Sequence, residues 1–393
     1  MNCIKMSALA GFGLLLAACG GDDKVASSGA STNNPDGLPS CGTDPASQPD
    51  RCVDDKGAIR CKSTAGYEGD ELALCEPDPE KGQLVHLGPS DYTDPVEMAK
   101  YTLDAGDEKE FCIRVNTTNS ELKYFDAYRG RMRPHSHHLI VTMPTAHVEN
   151  ETTPWECSPQ VTERWLFGAQ TPQIDVAHLS GAELPVESDP DYGLAHDIPP
   201  NQTLLIDLHY VNPTEAPILR EAWATLDYVD PADVKTKVDL IGWYNPVINI
   251  PANGKFTTNR VVCQVPNDAS GTPQSVYLGL ATGHAHQRMQ RVSVWHTDLS
   301  GNEQLIYETH SWHEPGEAFF VKGIENPPLP VAGSGWGATS GYVKVVPGET
   351  VSFECEYQND QDHVVTFGET TKNEMCNIFG FYYPTAGGMW NCL

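Results

Sequence analysis

From about residue 84 onward, the chain consists of short runs rich in β-branched and aromatic residues, separated by Pro, Gly, Asn and Asp. The runs include FCIRV, HHLIVTM, TLLIDLHYV, SVYLGLA and TVSFECEY. Runs of this length with no sustained helical period indicate antiparallel sheets. There are enough of them for two sandwiches, so we predict an all-β fold of two consecutive jelly-roll-like β-sandwiches. The stretch DYVDPADVKTKV at 227–238 is the predicted junction, which gives sandwiches over 84–232 and 233–393.

The N-terminus has the pattern of an export signal. Lys5 precedes the run SALAGFGLLLAA, which is too short to span a bilayer and ends in small residues. The sequence LAAC resembles the lipobox of bacterial lipoproteins, in which cleavage leaves Cys19 N-terminal and lipidated, although an ordinary signal peptide with a chance cysteine is the alternative. We predict a signal peptide over 1–18, a flexible tether over 19–40, and a bacterial outer-membrane lipoprotein on the periplasmic or cell-surface face.

The number of cysteines indicates which of them form disulfides. Of the 12 cysteines, Cys3 lies in the signal and Cys19 is the predicted lipid site, which leaves an even number and favours disulfides. Four of them, Cys41, Cys52, Cys61 and Cys75, predict a small disulfide-rich module over 41–80, for which three pairings are possible.

The net charge of -28 makes nucleic acid an unsuitable partner, and we interpret the acidity as an aid to solubility. The predicted membrane contact is the lipid anchor alone.

Histidines cluster at the ends of two strand-like runs. In HAH, His284 and His286 lie at i and i+2, so on a strand they project from one face and could hold a single metal. Histidine pairs also occur on solvated strands. His137 and His138 are adjacent and would point to opposite faces of a regular strand, so joint ligation needs a strand end or a bulge. His135 precedes them.

Two further candidate ligands stand alone in the sequence. His209 in LIDLHYVNP would by itself more often be a core or surface histidine than a ligand. Met375 would by itself be core filling, but a thioether added to two imidazoles makes a soft site that suits Cu(I). Asp207 precedes His209 by two residues; it could accept a hydrogen bond from an imidazole, and we favour a solvated strand residue.

Five motifs occur together in the order HHLIVT, LHYVNP, HAH, VVPGETVSFECEY and EMCNIFGFYYP. In this combination the chain resembles the copper type II, ascorbate-dependent monooxygenases, the family of peptidylglycine α-hydroxylating monooxygenase and dopamine β-monooxygenase, over most of residues 85–393. The resemblance implies two copper ions, one in each sandwich. The site that supplies an electron would be formed by His137, His138 and His209. The site where oxygen binds beside the substrate, and hence the catalytic one, would be formed by His284, His286 and Met375. His135 matches no family ligand and is expected at the surface or behind a ligand.

The resemblance also implies three disulfides, Cys112 with Cys157, Cys263 with Cys392, and Cys355 with Cys376. The last would fix the backbone beside Met375 and so help to hold that ligand in place. It further implies the family's reaction, in which O2 and a one-electron reductant such as ascorbate hydroxylate an activated C–H bond of a small organic substrate.

The substrate pocket departs from the peptide-amidating relatives. These hold the substrate carboxylate with an arginine two residues before the HAH pair and a tyrosine four residues after the methionine, where this chain has Thr282 and Phe379. The reason to expect a peptide C-terminus as substrate is therefore absent. The aromatic residues near the end of the chain could line a pocket or belong to the core: Phe379, Phe381, Tyr382 and Tyr383.

We therefore predict a copper-dependent monooxygenase. The competing class is an exported copper-binding lipoprotein without turnover, which would bind copper but consume no oxygen with reductant. A third is a structural surface protein with a degenerate site, which would bind no copper tightly. The presence of all six ligand residues in the family's order argues against degeneration.

Overall fold

The structure is a computed structural model that describes residue 40 and residues 51–53, 59–61, 81–144, 150–157, 164–170, 173–176, 178–181, 186–329 and 335–392. The predicted signal peptide and the lipidation site Cys19 lie outside the described residues, as does the predicted tether apart from Ser40. Cys41 and Cys75 of the predicted disulfide-rich module also lie outside them, whereas Cys52 is disulfide-bonded.

The regular secondary structure of the described residues is almost entirely strand. One short helix, α1, spans Pro95–Lys100 and begins after Asp94, whose carboxylate accepts the N–H of Val96 at 2.8 Å. The strands up to the middle of the chain are β1 Arg51–Val53, β2 Ile59–Cys61, β3 Gly82–Leu87, β4 Thr102–Leu103, β5 Glu108–Asn116, β6 Lys123–Met132, β7 Ser136–Met143, β8 Glu151–Glu156, β9 Arg164–Ala169, β10 Gln173–Val176, β11 Leu194–Ile198, β12 Thr203–Val211, β13 Ile218–Leu219, β14 Ala222–Val229 and β15 Thr236–Lys237. The remaining strands are β16 Asp239–Tyr244, β17 Asn249–Ile250, β18 Lys255–Thr257, β19 Val261–Gln264, β20 Val276–His284, β21 Met289–Thr297, β22 Glu303–Thr309, β23 Ala318–Phe319, β24 Trp336–Ala338, β25 Val343–Val345, β26 Thr350–Gln358, β27 Val365–Thr366, β28 Asn377–Tyr383 and β29 Trp390–Cys392. The all-β prediction is confirmed.

The first half of the described chain forms two sheets that pack around one core. One sheet has the order β15-β11-β6-β14-β3, with β10 paired to β6, and the other has the order β8-β5-β12-β7-β9. Phe125 and Leu226 of the first sheet meet Val141 and Leu208 of the second, and all four side chains are buried. Because alternate strand residues face this core, the ends of β7 and β12 are fixed relative to each other.

The second half forms a second pair of sheets. One has the order β23-β20-β28-β16-β29, with β25 paired to β20, and the other has the order β18-β26-β21-β22-β24, with β19 paired to β26. Trp243 and Tyr382 pack against Val294 and Phe353 across this second core. The strand pairing changes from the first pair of sheets to the second within residues 237–239, while the boundary between 232 and 233 stays a prediction.

The sheet β23-β20-β28-β16-β29 is buried on both faces. Ile241 and Tyr382 belong to the second core, whereas their neighbours in the sequence, Leu240 and Phe381, pack into the first core together with Leu280. Side chains alternate between the faces of a strand, so a sheet covered on both sides requires nearly continuous apolar runs. DLIGWY and NIFGFYY are such runs, and they dock the second pair of sheets against the first.

All three disulfides implied by the family resemblance are present. Cys112 of β5 is bonded to Cys157, which follows β8. The second sandwich holds the other two bridges, Cys263–Cys392 and Cys355–Cys376. No helix in the described part of the chain has the length and apolar character needed to cross a membrane.

His196 on β11 generates a prediction about acid stability. It is 1% exposed and stacks on Phe125 with ring centroids 5.0 Å apart. Burial, and next the Arg164 guanidinium, lowers the pKa of His196 to about 3. The folded state therefore resists a proton that the unfolded chain accepts near pH 6.5, so stability is lost as pH falls from about 6.5 toward 3.

Between neutral pH and about pH 4, we expect His196 to cost wild type about 3 kcal/mol of unfolding free energy. His196→Phe should not show this part of the loss. Urea unfolding of the metal-free protein at the two pH values measures this difference, and any pH-independent packing cost of Phe cancels from it. His363→Phe, at an exposed histidine, is the matched control and should leave the pH dependence unchanged. Equal pH slopes for wild type and His196→Phe would contradict the prediction.

Candidate copper centre

A β-bulge brings His137 and His138 to the same site. Strands β7 and β12 pair with His209 opposite His138 and Tyr210 opposite Ser136, so His137 is an extra residue on β7. Such an inserted residue breaks the alternation of faces. The centroids of the three imidazoles consequently lie 5.1–5.3 Å apart.

His135 adopts a left-handed backbone conformation, φ 74°, just before this bulge. Its carbonyl accepts the N–H of Val211 at 3.1 Å, which ties the turn before β7 to the end of β12. The His135 side chain is exposed. Its contribution to the site is therefore made through the backbone.

His284 is the last residue of β20, and His286 lies just beyond it. Their ring centroids are 5.5 Å apart. The backbone at His286 is held by Glu374, whose two carboxylate oxygens accept the N–H groups of His286 and Arg288 at 2.9 and 2.8 Å. Burial raises the pKa of Glu374 to about 7, although those two N–H groups and the Arg288 guanidinium lower it. Glu374 directly precedes Met375, so one residue links the positions of two predicted ligands.

The two predicted ligand sets meet where the sandwiches dock. The His137 ring lies 5.2 Å from that of His284 and 5.4 Å from that of His286, and the His138 ring lies 5.6 Å from that of His284. Ligand atoms of His137, His138 and His284 all lie within 4.8 Å of one another. The resemblance implies one site in each sandwich, and the structure brings these five imidazoles into a single cluster.

Acceptor groups hold one ring nitrogen of four of these histidines. Because a carboxylate, an amide oxygen and a carbonyl can only accept, the ring nitrogen facing each must carry the proton. The pairs are His138 Nε2 to Glu110 (3.4 Å), His209 Nε2 to Glu108 (3.1 Å), His284 Nδ1 to the Gln170 amide oxygen (2.8 Å) and His286 Nδ1 to the Asn373 carbonyl (3.2 Å). In a neutral imidazole held this way, the opposite ring nitrogen carries a lone pair.

Several of these opposite nitrogens are buried without a hydrogen-bond partner among the described residues: His138 Nδ1, His209 Nδ1 and His286 Nε2, together with His137 Nε2. A buried nitrogen without a partner costs about 1–3 kcal/mol, which a bound metal ion would offset. Burial, followed by the neighbouring imidazoles, holds the pKa of His137 and of His284 well below the usual value. Burial lowers the pKa of His286 to about 4. Neutral imidazoles with free lone pairs are the form that binds metal, so the donor set fits copper.

Met375 is buried beside the same cluster. Its Sδ accepts the Asn377 amide at 3.5 Å, and its carbonyl accepts the Tyr357 hydroxyl at 2.6 Å. The Cys355–Cys376 disulfide anchors the next residue. Backbone and side chain are thus both restrained, which suits a residue that must present a thioether in one direction.

An apolar cavity opens beside Met375, His138 and His284, with a volume of about 1040 Å³ including its mouth. Trp165 and Phe379 stack in its wall with ring centroids 4.6 Å apart. The aromatic residues near the chain end divide between wall and core. Phe379 and Phe381 line the cavity, Tyr382 lies in the second core and Tyr383 in the first.

The groups that hold the imidazoles were not identified from the sequence. Glu108 and Glu110 alternate in EKEFCIRV and so share a face of β5, which was the available signal. Asp207 is a correction: we expected a solvated strand residue, but it is 1% exposed, and its carboxylate lies within 4.8 Å of ligand atoms of Glu110 and His138. It is buried because β12 is the central strand of its sheet.

The fold and the donor set define a class: a two-sandwich protein with a histidine and methionine site suited to copper. Residues 338–392 match the family model for the copper type II ascorbate-dependent monooxygenases, C-terminal domain. Over 43 residues the chain is 49% identical to the human Putative DBH-like monooxygenase protein 2, covering 11% of this chain and 9% of that protein. These matches support the resemblance to the copper type II, ascorbate-dependent monooxygenase family that the motifs predict, over a short part of the chain at its C-terminal end.

Two solved structures of PNGase F were also found to be similar, one of them described as a glycosylasparaginase from Flavobacterium meningosepticum. Each is 11% identical and covers 78% of this chain, with 96% and 97% of the other chain covered. Their TM-score of 0.29 is too low to support any inference about this protein.

Glu108 links the two ligand sets and generates the second prediction. Besides His209, its carboxylate accepts the Thr371 N–H at 2.7 Å and the Thr371 hydroxyl at 2.9 Å, in the loop that leads to Met375. Burial alone would raise the pKa of Glu108, but the hydrogen bonds from His209 and Thr371 outweigh it and lower the pKa to about 2.

We expect Glu108→Gln to weaken copper binding by roughly 10–100-fold, because a neutral amide no longer fixes the His209 tautomer. In the metal-free protein the Thr371 amide should exchange with solvent faster, because its charged acceptor is gone. Competition against a chromophoric Cu(I) chelator and hydrogen exchange measure the two effects. Glu156→Gln, at an exposed glutamate on β8, is the control. If Glu108→Gln leaves both quantities at wild-type values, Glu108 does not link the ligand sets.

Proposed function

We propose that this protein is a copper-dependent monooxygenase that hydroxylates an activated C–H bond of a small organic substrate, with O2 and a one-electron reductant such as ascorbate. The observation that carries the proposal is a cluster of imidazoles beside an apolar cavity lined by Met375, in which His137, His138, His209 and His286 each bury one ring nitrogen without a hydrogen-bond partner among the described residues. A copper ion held by such donors would supply one-electron redox chemistry toward O2. Overall, substrate, O2, two electrons and two protons give the hydroxylated product and water.

The chain's own residues supply binding and orientation. The proposed ligands are His137, His138 and His209 for one copper and His284, His286 and Met375 for the other. Glu108, Glu110, Gln170 and Asn373 would fix the tautomers of four of the imidazoles, because each accepts the proton on the nitrogen that faces away from the metal. The apolar wall would exclude bulk water from the substrate's reacting carbon.

The alternative function is copper binding without turnover, and oxygen uptake separates the two. With copper-loaded protein, ascorbate and a panel of aromatic and aliphatic amines and peptides, we expect uptake that depends on substrate and yields one hydroxylated product per O2. Loss of a group that is hydrogen-bonded to a metal ligand typically costs roughly 10–100-fold in activity. Because Met375 is itself a proposed ligand, Met375→Ala should lower this rate by more than that. Met98→Ala, on α1, is the matched control and should retain activity. Tight binding of two coppers without coupled product across the panel would favour the copper-binding alternative.

We also propose that the protein is an exported lipoprotein anchored in the outer membrane through Cys19. The support is the LAAC sequence after an apolar run and the polar stretch that follows it. Fractionation of cells that produce wild type or Cys19→Ser tests this proposal. Wild type should sediment with the outer membrane and the variant should not, whereas equal distribution of the two proteins would contradict lipidation.

A further inference from the structure

His137 lies at the centre of the imidazole cluster. Its ring centroid is 5.2–5.4 Å from the centroids of the other four imidazoles, two of which belong to each predicted ligand set. The family resemblance assigns His137 to the first set alone, whereas its position gives it nearly equal access to both. A metal ion bound to His137 can therefore take its other ligands from either sandwich.

One triad of histidines draws on both sandwiches. The ligand atoms of His137 and His138 on β7 and of His284 on β20 all lie within 4.8 Å of one another, and the three side chains are buried. Among the described residues, this is the one group at such distances that consists of histidines alone. Tetrahedral coordination with Zn–N bonds of about 2.0–2.1 Å places ligand atoms roughly 3.3 Å apart, so side-chain adjustments on the order of 1 Å would complete a site.

The nitrogens that a metal ion needs are free in this triad. His137 Nε2 and His138 Nδ1 are buried without a hydrogen-bond partner among the described residues. The Gln170 amide nitrogen donates to the Gly283 carbonyl at 3.1 Å, which fixes the amide so that its oxygen faces His284 Nδ1 at 2.8 Å. His284 Nδ1 therefore carries the proton, and in the neutral ring Nε2 carries the lone pair.

The close approach of the two ligand sets favours one divalent ion over two. Two divalent ions repel each other with about four times the energy of two unit charges at the same distance, and a buried site screens this repulsion poorly. Carboxylates beside the cluster attract a cation: Glu110 lies 3.4 Å from His138, Glu108 lies 3.1 Å from His209, and the Asp207 carboxylate lies within 4.8 Å of the ligand atom of His138. A first ion is thus favoured, and a second must overcome the charge of the first.

We propose that His137, His138 and His284 form a site for a single divalent ion of the zinc type, which bridges the two sandwiches. Three imidazoles that leave a fourth position open suit Zn²⁺, which accepts tetrahedral coordination and has no redox chemistry. Because the ion takes ligands from both proposed copper sites, it excludes loading with two coppers and holds the protein in an inactive, docked form. The exclusion rests on the proposed function, whereas the zinc site rests on the triad alone.

Zinc titration of the metal-free, full-length protein tests the site. Calorimetry should give one Zn²⁺ per chain. His137→Ala and His284→Ala, one in each sandwich, should each weaken binding by at least about 100-fold, because each removes a ligand and not merely a group behind a ligand. His363→Ala, at an exposed histidine, is the control and should bind zinc as wild type does. Thermal unfolding of each metal-free variant establishes that it is folded.

A thiolate substitution tests whether both sandwiches bind the same ion. Co²⁺ can replace Zn²⁺ in such sites, and Co²⁺ bound by a thiolate has an intense near-ultraviolet absorption that imidazole ligands do not produce. In His284→Cys, which keeps a zinc ligand at this position, the first equivalent of Co²⁺ should produce this absorption. Adding His137→Ala should abolish it at the same Co²⁺ concentration, whereas adding His363→Ala should not.

Copper loading tests the exclusion. When zinc-loaded protein is titrated with Cu(I), a chromophoric zinc indicator should show release of the single zinc ion before two coppers have bound. Zinc that stays bound beside two coppers would overturn the exclusion.

The other outcomes separate the zinc site from the proposed function. The site is overturned by two zinc ions per chain of similar affinity, by wild-type zinc affinity in either alanine variant, or by no binding up to about 100 μM zinc. If one zinc ion bridges the sandwiches but no substrate supports oxygen uptake, the zinc site stands and the monooxygenase proposal fails. If uptake occurs but zinc does not bind to the triad, the monooxygenase proposal stands and the zinc site fails.

Discussion

The burial of the sheet β23-β20-β28-β16-β29 on both faces is the constraint on which the candidate site depends. One face closes the second core, and the other packs Leu240, Leu280 and Phe381 into the first. Each such side chain contributes about 1.5–3 kcal/mol when fully buried, so the docked arrangement is held by the same force that folds each sandwich. Without it, the ends of β12 and β20 would have no reason to face each other.

Polar contacts then set the register of the docked sandwiches. Gln170, which follows β9 in the first sandwich, accepts from His284 and donates to Thr282 at 3.3 Å and to the Gly283 carbonyl at 3.1 Å. Apolar burial alone has little directional preference, whereas these hydrogen bonds are lost after a small slide. The Gln170 and Glu108 contacts both end on a proposed ligand, so the interface that orients the sandwiches also orients the imidazoles.

The sequence predicted some of these features and not others, for physical reasons. The strands could be predicted because alternation is a local signal, whereas the disulfide pairings and the candidate ligands were predicted from the resemblance that the ordered motifs carry. The bulge at His137 was foreseen as a requirement of adjacent ligands, but its place could not be read from one strand, because a register shift is a property of the β7–β12 pair. Asp207 was misjudged for a similar reason: the alternation that fits a half-exposed strand does not reveal a central strand that is covered on both sides.

Docking and metal binding are expected to be linked. The buried nitrogens of His137, His209 and His286 lack partners among the described residues, so the close approach of the two ligand sets is opposed by desolvation in the metal-free protein. The apolar interface must offset that cost until a metal ion supplies the missing partner. Any ion that binds both ligand sets while they are close then stabilises the docked form by mass action. The Glu108 carboxylate contacts His209 of one ligand set and Thr371 in the loop before Met375 of the other. We therefore expect a displacement of either ligand set to affect the position of the other through this one hydrogen-bonded group.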